Sequence, residues 1–331
     1  MRYVVTGANG FVGTALTQLL LSEGHEVVAA VRNPGKAEAL AFAGAELAKA
    51  DLADEGALAQ AFEGADGVFH VAGWYRIGDR HPEEAWRVNV DGTRNALAAA
   101  AQTGVPRVVH TSTVAVNSDT RGALRDETYR YSGKYLSVYE ASKAAAHRVA
   151  EQFAAQQQAG EGKLSTEVVI VMPGGIYGPN DTSTLGRLML DAAHGKPTLA
   201  PKSLKLMEAH VDDVAAGHLR AMQLGRAGES YLLVGEQTDA HQMVAEVAAL
   251  SGGRAPYDVP GPLLRAFAAM GSVTGRLLPL PAQVSAEAMR SAQASYLATP
   301  AKAIDELGWS FRPLSVGLPE LVRSYDLGLE D

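Results

Sequence analysis

The segment Thr6-Gly7-Ala8-Asn9-Gly10-Phe11-Val12-Gly13 constrains this chain more than any other. It follows an apolar, β-branched run, Arg2 to Thr6, and opens an apolar helical pattern, Phe11 to Ser22. Gly7 and Gly10 let the backbone turn tightly there, and Gly13 lets the helix approach the strand. The unpaired N–H groups and the positive end of the helix would then stabilise a pyrophosphate, so the segment has both the spacing and the context of a dinucleotide fingerprint. The plainer alternative is a glycine-rich turn with no ligand.

The pattern continues beyond the fingerprint. Short β-branched runs at Glu26 to Val31, Glu46 to Ala50, Gly67 to Val71, Arg107 to Thr111 and Glu167 to Val171 alternate with helical stretches at Glu55 to Phe62, Glu83 to Gln102 and Val138 to Gln158. Repeated βαβ units of this kind predict an α/β fold, a Rossmann-type doubly wound parallel sheet formed mainly by residues 1–175. Beyond Pro179 the strands thin out, leaving one at Ser230 to Val234 and helices near Asp212 to Leu224 and Ala240 to Leu250. Residues 176–331 therefore read mostly as a smaller substrate-binding cap, with some segments returning to the core. Gln156 to Lys163 reads as a polar surface loop.

Composition narrows the function classes. With 47% hydrophobic and 20% charged residues the chain is globular rather than disordered. Cysteine is absent, which removes disulfides, thiolate nucleophiles and Cys-based metal sites, and the nine histidines contain no HExxH pair, so no metal is expected. A net charge of −8 disfavours nucleic acid and anionic membrane as partners. The first strand begins almost at Met1, without room for a signal peptide, and the longest apolar run, Leu263 to Leu280, is broken by Arg265 and Arg276. A cytoplasmic protein acting on a small molecule is the expectation. The helical patterns at 83–102 and 138–158 could pair across a homodimer or pack within one subunit.

The second strand ends Val31-Arg32-Asn33-Pro34-Gly35-Lys36, where an NAD-selective protein would place an acid against the ribose 2′-hydroxyl. Arg32 is instead placed to hold a 2′-phosphate, with Lys36 as auxiliary charge, which favours NADP while leaving NAD possible. A solvated loop arginine would look the same. Asp51 closes the third strand as either an adenine-side contact or a helix cap.

Tyr139 and Lys143, four apart, share one helix face. Ser137 and Glu140 read as a capping box, which puts Tyr139 in the first turn. A nearby ammonium lowers the pKa of a phenol, so the pair could serve as general acid and base; a surface cation against a ring is the alternative. His110-Thr111-Ser112-Thr113 ends another strand at the sheet edge where α/β proteins bind ligands. His147 and His210 read as structural.

These motifs, with Val71-Ala72-Gly73, Asn89-Val90-Asp91-Gly92-Thr93, Tyr177-Gly178-Pro179, His210-Val211-Asp212-Asp213 and Leu307-Gly308-Trp309, resemble the extended short-chain dehydrogenase/reductases, also called the NAD-dependent epimerase/dehydratase family. The VRxP strand end makes the chain most similar to dihydroflavonol-reductase-like members. The resemblance implies a catalytic triad of Thr113, Tyr139 and Lys143, in which Thr113 takes the last place of the family's Thr-Ser-Ser run and Ser112 stands beside it. It implies a cofactor site of Gly7, Asn9, Gly10, Phe11, Val12 and Gly13, then Arg32, Lys36, Asp51 and Leu52. Val71, Ala72, Gly73, Thr111, Tyr139, Lys143, Pro173, Gly175 and Ile176 would complete it.

Where many nucleotide-sugar members carry an Asn and an Arg, this chain has Gly175 and Met172, which argues against a nucleotide sugar. Trp74, Tyr75, Arg76, Tyr177 and Met207, with Thr113, are expected to form an aromatic, apolar substrate pocket. The expected activity is NADP-dependent reduction of a ketone or aldehyde, or oxidation of the matching alcohol. A nucleotide-sugar epimerase or dehydratase with tightly held cofactor, and a non-catalytic dinucleotide sensor, are the alternatives.

Overall fold

In the computed structural model, residues 1–78, 81–160, 166–274, 285–325 and 327 are described. Parts of two sequence readings, the loop at 161–163 and the end of the apolar run at 275–280, lie outside these residues. The central element is a seven-stranded parallel sheet. Its strands are β1 (Arg2–Thr6), β2 (Glu26–Val31), β3 (Glu46–Lys49), β4 (Gly67–His70), β5 (Arg107–Thr111), β6 (Glu167–Pro173) and β9 (Ser230–Leu233). The strand order β3-β2-β1-β4-β5-β6-β9 reverses direction at β1, between β2 and β4, which creates the crevice that a doubly wound sheet offers to a ligand. Side chains alternate across the sheet: Val4, Val68, Val108 and Val168 enter one core cluster, and Val5, Phe69, Val109 and Val169 enter the other.

A second sheet, in the order β10-β8-β7, is built from β7 (Gly175–Tyr177), β8 (Lys205–His210) and β10 (Glu236–Asp239), none of which the sequence pattern picks out. β7 and β10 are short, and β10 reads Glu-Gln-Thr-Asp, without the alternation that marks a half-buried strand. A third apolar cluster, including Tyr177, Met189, Met243 and Leu318, lies in the same part of the chain. Among the described residues no helix is long and apolar enough to cross a membrane.

The first helix spans Phe11–Ser22 and ends at a left-handed Gly24. There the N–H groups of Gly24 and His25 bond back to the carbonyls of Leu21 and Leu20, a Schellman stop. The continuous helix expected over Glu83–Gln102 is instead three pieces: an α-turn at Pro82–Trp86, a π-turn at Arg87–Asp91 and a helix at Gly92–Gln102. The cause is Asn89. Its side chain is turned inward to accept from the Trp74 N–H (2.7 Å) and donate to the Trp74 carbonyl (3.1 Å), and the backbone widens by one residue to let it do so. The helix at 92–102 packs within the subunit against the long helix Val138–Gln158.

Candidate active site

The glycine segment forms a cradle that has no room for side chains. Gly7 is left-handed (φ 67°), and a Cβ there would lie 2.7 Å from the Ala72 Cα; at Gly13 it would lie 2.1 Å from the Gly7 carbonyl oxygen. Gly10 is the N-cap of the first helix and offers no side chain to its first-turn N–H groups. Asn9 and Gly10 are exposed, and Phe11 and Val12 are half-buried beside them. A narrow backbone turn with a helix start uncapped by any side chain suits the diphosphate of a dinucleotide. Further along this edge, Arg32 and Lys36 are exposed, and Arg32 makes no hydrogen bond to another described residue. Its charge helps to hold Glu84 below the usual carboxylate range, although the hydrogen bond from Arg87 is the main cause. Asp51 accepts from the Ala53 N–H (2.9 Å), and the neighbouring helix is capped by Asp54 rather than by Asp51. Leu52 is buried, with its carbonyl taking the Asn95 amide (2.7 Å).

The cradle is tied to the reacting end by one hydrogen-bond chain. The Ala72 N–H donates to Thr6 Oγ1 (3.2 Å), which pairs with His70 Nδ1 (2.9 Å). His70 Nε2 pairs with Thr93 Oγ1 (3.3 Å), and the Thr93 hydroxyl donates to the Asn89 carbonyl (2.6 Å). With the Thr93 proton committed, the network assigns the imidazole proton to Nε2. Burial, helped by the charge of Lys143, pushes His70 down to about 3, so the ring stays neutral. Asn89 then donates to Ser142 Oγ (2.9 Å) on the long helix. Val71 and Ala72 are thereby fixed and half-buried, while Gly73 faces solvent.

Tyr139 lies in the first turn of that helix. Ser137 caps it, accepting from the Glu140 N–H (3.2 Å). The other half of the expected capping box differs: the Glu140 carboxylate accepts from the Leu136 N–H (3.1 Å) and from the hydroxyls of Ser118 (2.8 Å) and Tyr296 (2.7 Å). Thr113 Oγ1 accepts from the Ala115 N–H (3.2 Å) and is close enough to the Tyr139 phenol to lower its pKa in part. Ser112 faces elsewhere, paired with His147 Nδ1 (2.8 Å), whose other nitrogen lies 3.3 Å from Glu151. His210 caps the helix Val211–Leu224. No group of three His, Cys, Asp or Glu among the described residues could hold a metal ion.

The charges differ from the sequence expectation. Burial, helped by the neighbouring Tyr75, raises the Tyr139 phenol above its usual range, and the nearby Thr113 side chain only partly offsets that. The Lys143 ammonium donates to the Thr111 carbonyl (2.7 Å) and is itself pushed down to about 8 by burial. Desolvation is thus the main cause of both shifts.

Of the expected substrate residues, Tyr75 is 60% exposed and sets its ring edge-on to Tyr139, centroids 4.9 Å apart. Trp74 is buried, with its backbone held by Asn89, and Arg76 is exposed. Tyr177 is not brought to this group. It is fully buried in the third cluster, edge-on to His210, with Gly317 of the helix Leu314–Arg323 packed against its hydroxyl. Met207 is packed in the first core cluster. Pro173 ends β6, and Gly175 and Ile176 begin β7, at the same carboxyl edge as Thr111. The structure adds Asp181, Glu208 and Glu287, which carry no sequence signal, and gives a role to Asn89, which the sequence marks only as part of a family motif. Glu287 bridges the N–H groups of Gly78 (3.1 Å) and Val138 (3.3 Å).

This sheet, cradle and Tyr-Lys helix define an enzyme of the short-chain dehydrogenase/reductase class. The model of the NAD dependent epimerase/dehydratase family matches residues 3–234, and the chain belongs to that family as an NAD(P)-dependent enzyme. It is 35% identical over 263 residues to a Synechocystis sp. protein named "Putative dihydroflavonol 4-reductase", covering 77% of this chain and 74% of that one. A 2-alkyl-3-oxoalkanoate reductase of Stenotrophomonas maltophilia is 30% identical over 295 residues, covering 85% and 84%. The solved structure of gox2253 superposes with a TM-score of 0.82 at 29% identity, covering 98% of this chain and 97% of that one.

Proposed function

We propose that the chain is an NADP-dependent reductase of a ketone or aldehyde carried on a small to medium, largely apolar molecule. The observation that carries this reading is Tyr139 in the first turn of the long helix, with Lys143 four residues on and bonded to the Thr111 carbonyl (2.7 Å) at the sheet edge, and a phenol whose burial keeps its proton in place at neutral pH. A phenol held protonated suits proton donation to a developing alkoxide. Tyr139 Oη gives its proton to the carbonyl oxygen, and Thr113 Oγ1 orients that oxygen. Lys143, anchored on the Thr111 carbonyl, supplies positive charge and a contact for the nicotinamide ribose. The bound dinucleotide supplies the hydride. The Gly7–Gly13 cradle would hold its diphosphate, Arg32 and Lys36 a 2′-phosphate, and Asp51 and Leu52 the adenine side. Val71–Gly73, Pro173, Gly175 and Ile176 would surround the nicotinamide. Tyr75, with Trp74 and Arg76, borders the substrate.

Reduction by two named reductases among the relatives supports the reaction type, and Met172 and Gly175 in place of polar sugar-nucleotide contacts support the apolar substrate. A panel of carbonyl compounds followed by NADPH absorbance, beside titrations with UDP and dTDP, tests it. Carbonyl-dependent NADPH oxidation is expected. Micromolar UDP or dTDP binding without carbonyl reduction would overturn the reading in favour of a nucleotide-sugar enzyme.

A further inference from the structure

Two glutamates of this protein are equally removed from water and are treated in opposite ways. Glu140, 1% exposed, has three hydrogen-bond partners that use both carboxylate oxygens. Glu208, 2% exposed on β8, has an Oε2 with no partner among the described residues. Leaving a buried carboxyl oxygen unpaired costs folding free energy, and such groups are retained where a ligand completes them.

The position of Glu208 indicates which ligand. β8 pairs with β7 so that Glu208 stands opposite Gly175, and a Cβ on Gly175 would lie 2.0 Å from Glu208 Oε1. The carboxyl thus occupies the space that a side chain at Gly175 would fill, next to the residues assigned above to the nicotinamide end. The charges of Glu208 and Asp181 reach Tyr75, whose ring lies against Tyr139. Asp181 is itself held by the Ser183 N–H and hydroxyl. Burial, with Asp181 nearby, pushes Glu208 up to about 8, so at neutral pH it is largely a neutral acid that can both donate and accept.

Resting on the reductase reading, we propose that Glu208 takes a hydrogen-bond donor, a hydroxyl or ammonium group, on the carbonyl substrate that Tyr139 protonates. The substrate is then an otherwise apolar ketone or aldehyde with one polar donor near the carbonyl. A site built to pair a donor discriminates against the analogue that lacks it, because its own polar group is left unmatched.

The test uses the full chain with acetophenone, α-hydroxyacetophenone and α-aminoacetophenone. Binding is measured by calorimetry in the presence of NADP⁺, and turnover by NADPH absorbance. The donor-bearing ketones are expected to be favoured about 10- to 100-fold in Kd or kcat/KM. Preference for the hydroxyl over the ammonium identifies the neutral acid as the recognising form, and the reverse identifies the carboxylate. Glu208→Leu should bring the ratio close to one. Glu208→Gln, close in shape in case the leucine variant does not fold, should lower it at least about fivefold. Equal treatment of the three ketones, a preference that survives both replacements, no binding of any of them, or an effect confined to cofactor affinity would overturn the proposal. Donor preference in binding without turnover would overturn the reductase reading alone, and turnover without preference would overturn this proposal alone.

Discussion

The two ends of the site are built by different means. The cradle end is a single stretch, Gly7 to Gly13, proposed to hold the diphosphate through its backbone, with no room for a side chain at Gly7 or Gly13. The reacting end gathers side chains from Thr6, His70, Asn89, Thr113, Tyr139, Glu208 and Glu287, scattered over most of the chain. The difference separates binding from chemistry at Tyr139: replacing its side chain should leave the cradle intact, whereas Thr6, His70, Thr93 and Asn89 form the chain that holds Ala72 against Gly7.

The largest test of that separation is Tyr139→Phe, which removes only the hydroxyl. Turnover should fall by about 10² to 10⁴ while dinucleotide affinity, read by fluorescence titration, stays within roughly threefold. A parallel loss of affinity would show that the two ends are not separable.

Next in size is the dependence of stability on pH, where two buried groups act in opposite directions. Glu208 is raised from 4.5 to about 8, so between those values the folded state binds more protons than the unfolded one, and this contribution falls as pH rises. Lys143 is lowered from 10.5 to about 8, so between 8 and 10.5 the unfolded state binds more protons, and its contribution rises with pH. Differences in urea unfolding between wild type and Glu208→Gln should therefore change across pH 5 to 8, and those with Lys143→Met across pH 8 to 10, each by a few kcal/mol. A flat difference in either window would remove the corresponding shift.

Smaller again is the choice of hydroxyl. Thr113→Val should lower kcat by roughly 10²-fold and Thr113→Ser by much less, since only valine lacks the oxygen. Ser112→Ala should act mainly on stability, because its hydroxyl serves His147. An inactive Ser112→Ala beside an active Thr113→Val would exchange the two roles. The smallest effect belongs to the cradle end: Arg32→Ala should lower the NADPH to NADH preference about tenfold, the value of one charge-assisted contact. An unchanged ratio would move 2′-phosphate recognition to another residue.

The same division decides what could be read from the sequence. The helix bounds Phe11–Ser22 and Val138–Gln158 and the main strands follow local patterns, so periodicity and capping residues announced them. Gly7, Gly10 and Gly13 were legible because their requirement is local. Asn89 was legible only as part of the Asn89–Thr93 motif; its role was not, because it lies within a helical pattern and its contact is with Trp74, 15 residues earlier, at the π-turn. Glu208 was hidden because it stands opposite Gly175 across a pairing with β7, a strand of three residues that no local pattern marks. Tyr177 looked available from its place after β6, and only packing from the third cluster covers it. The raised phenol was missed for a related reason, since charge spacing is visible in a sequence and desolvation is not.

The three bonds to Glu140 bear on how this molecule comes apart. They arrive from Ser118 after β5, from Leu136 before the long helix and from Tyr296 in the C-terminal part of the chain. Detaching the C-terminal segment would strip a buried carboxylate of one partner while the sheet still enclosed it, at a cost of about 1 to 3 kcal/mol before any apolar contact is counted. The sheet and the segment that covers it are therefore expected to melt together in one cooperative transition, with Glu140 as a fastening common to both.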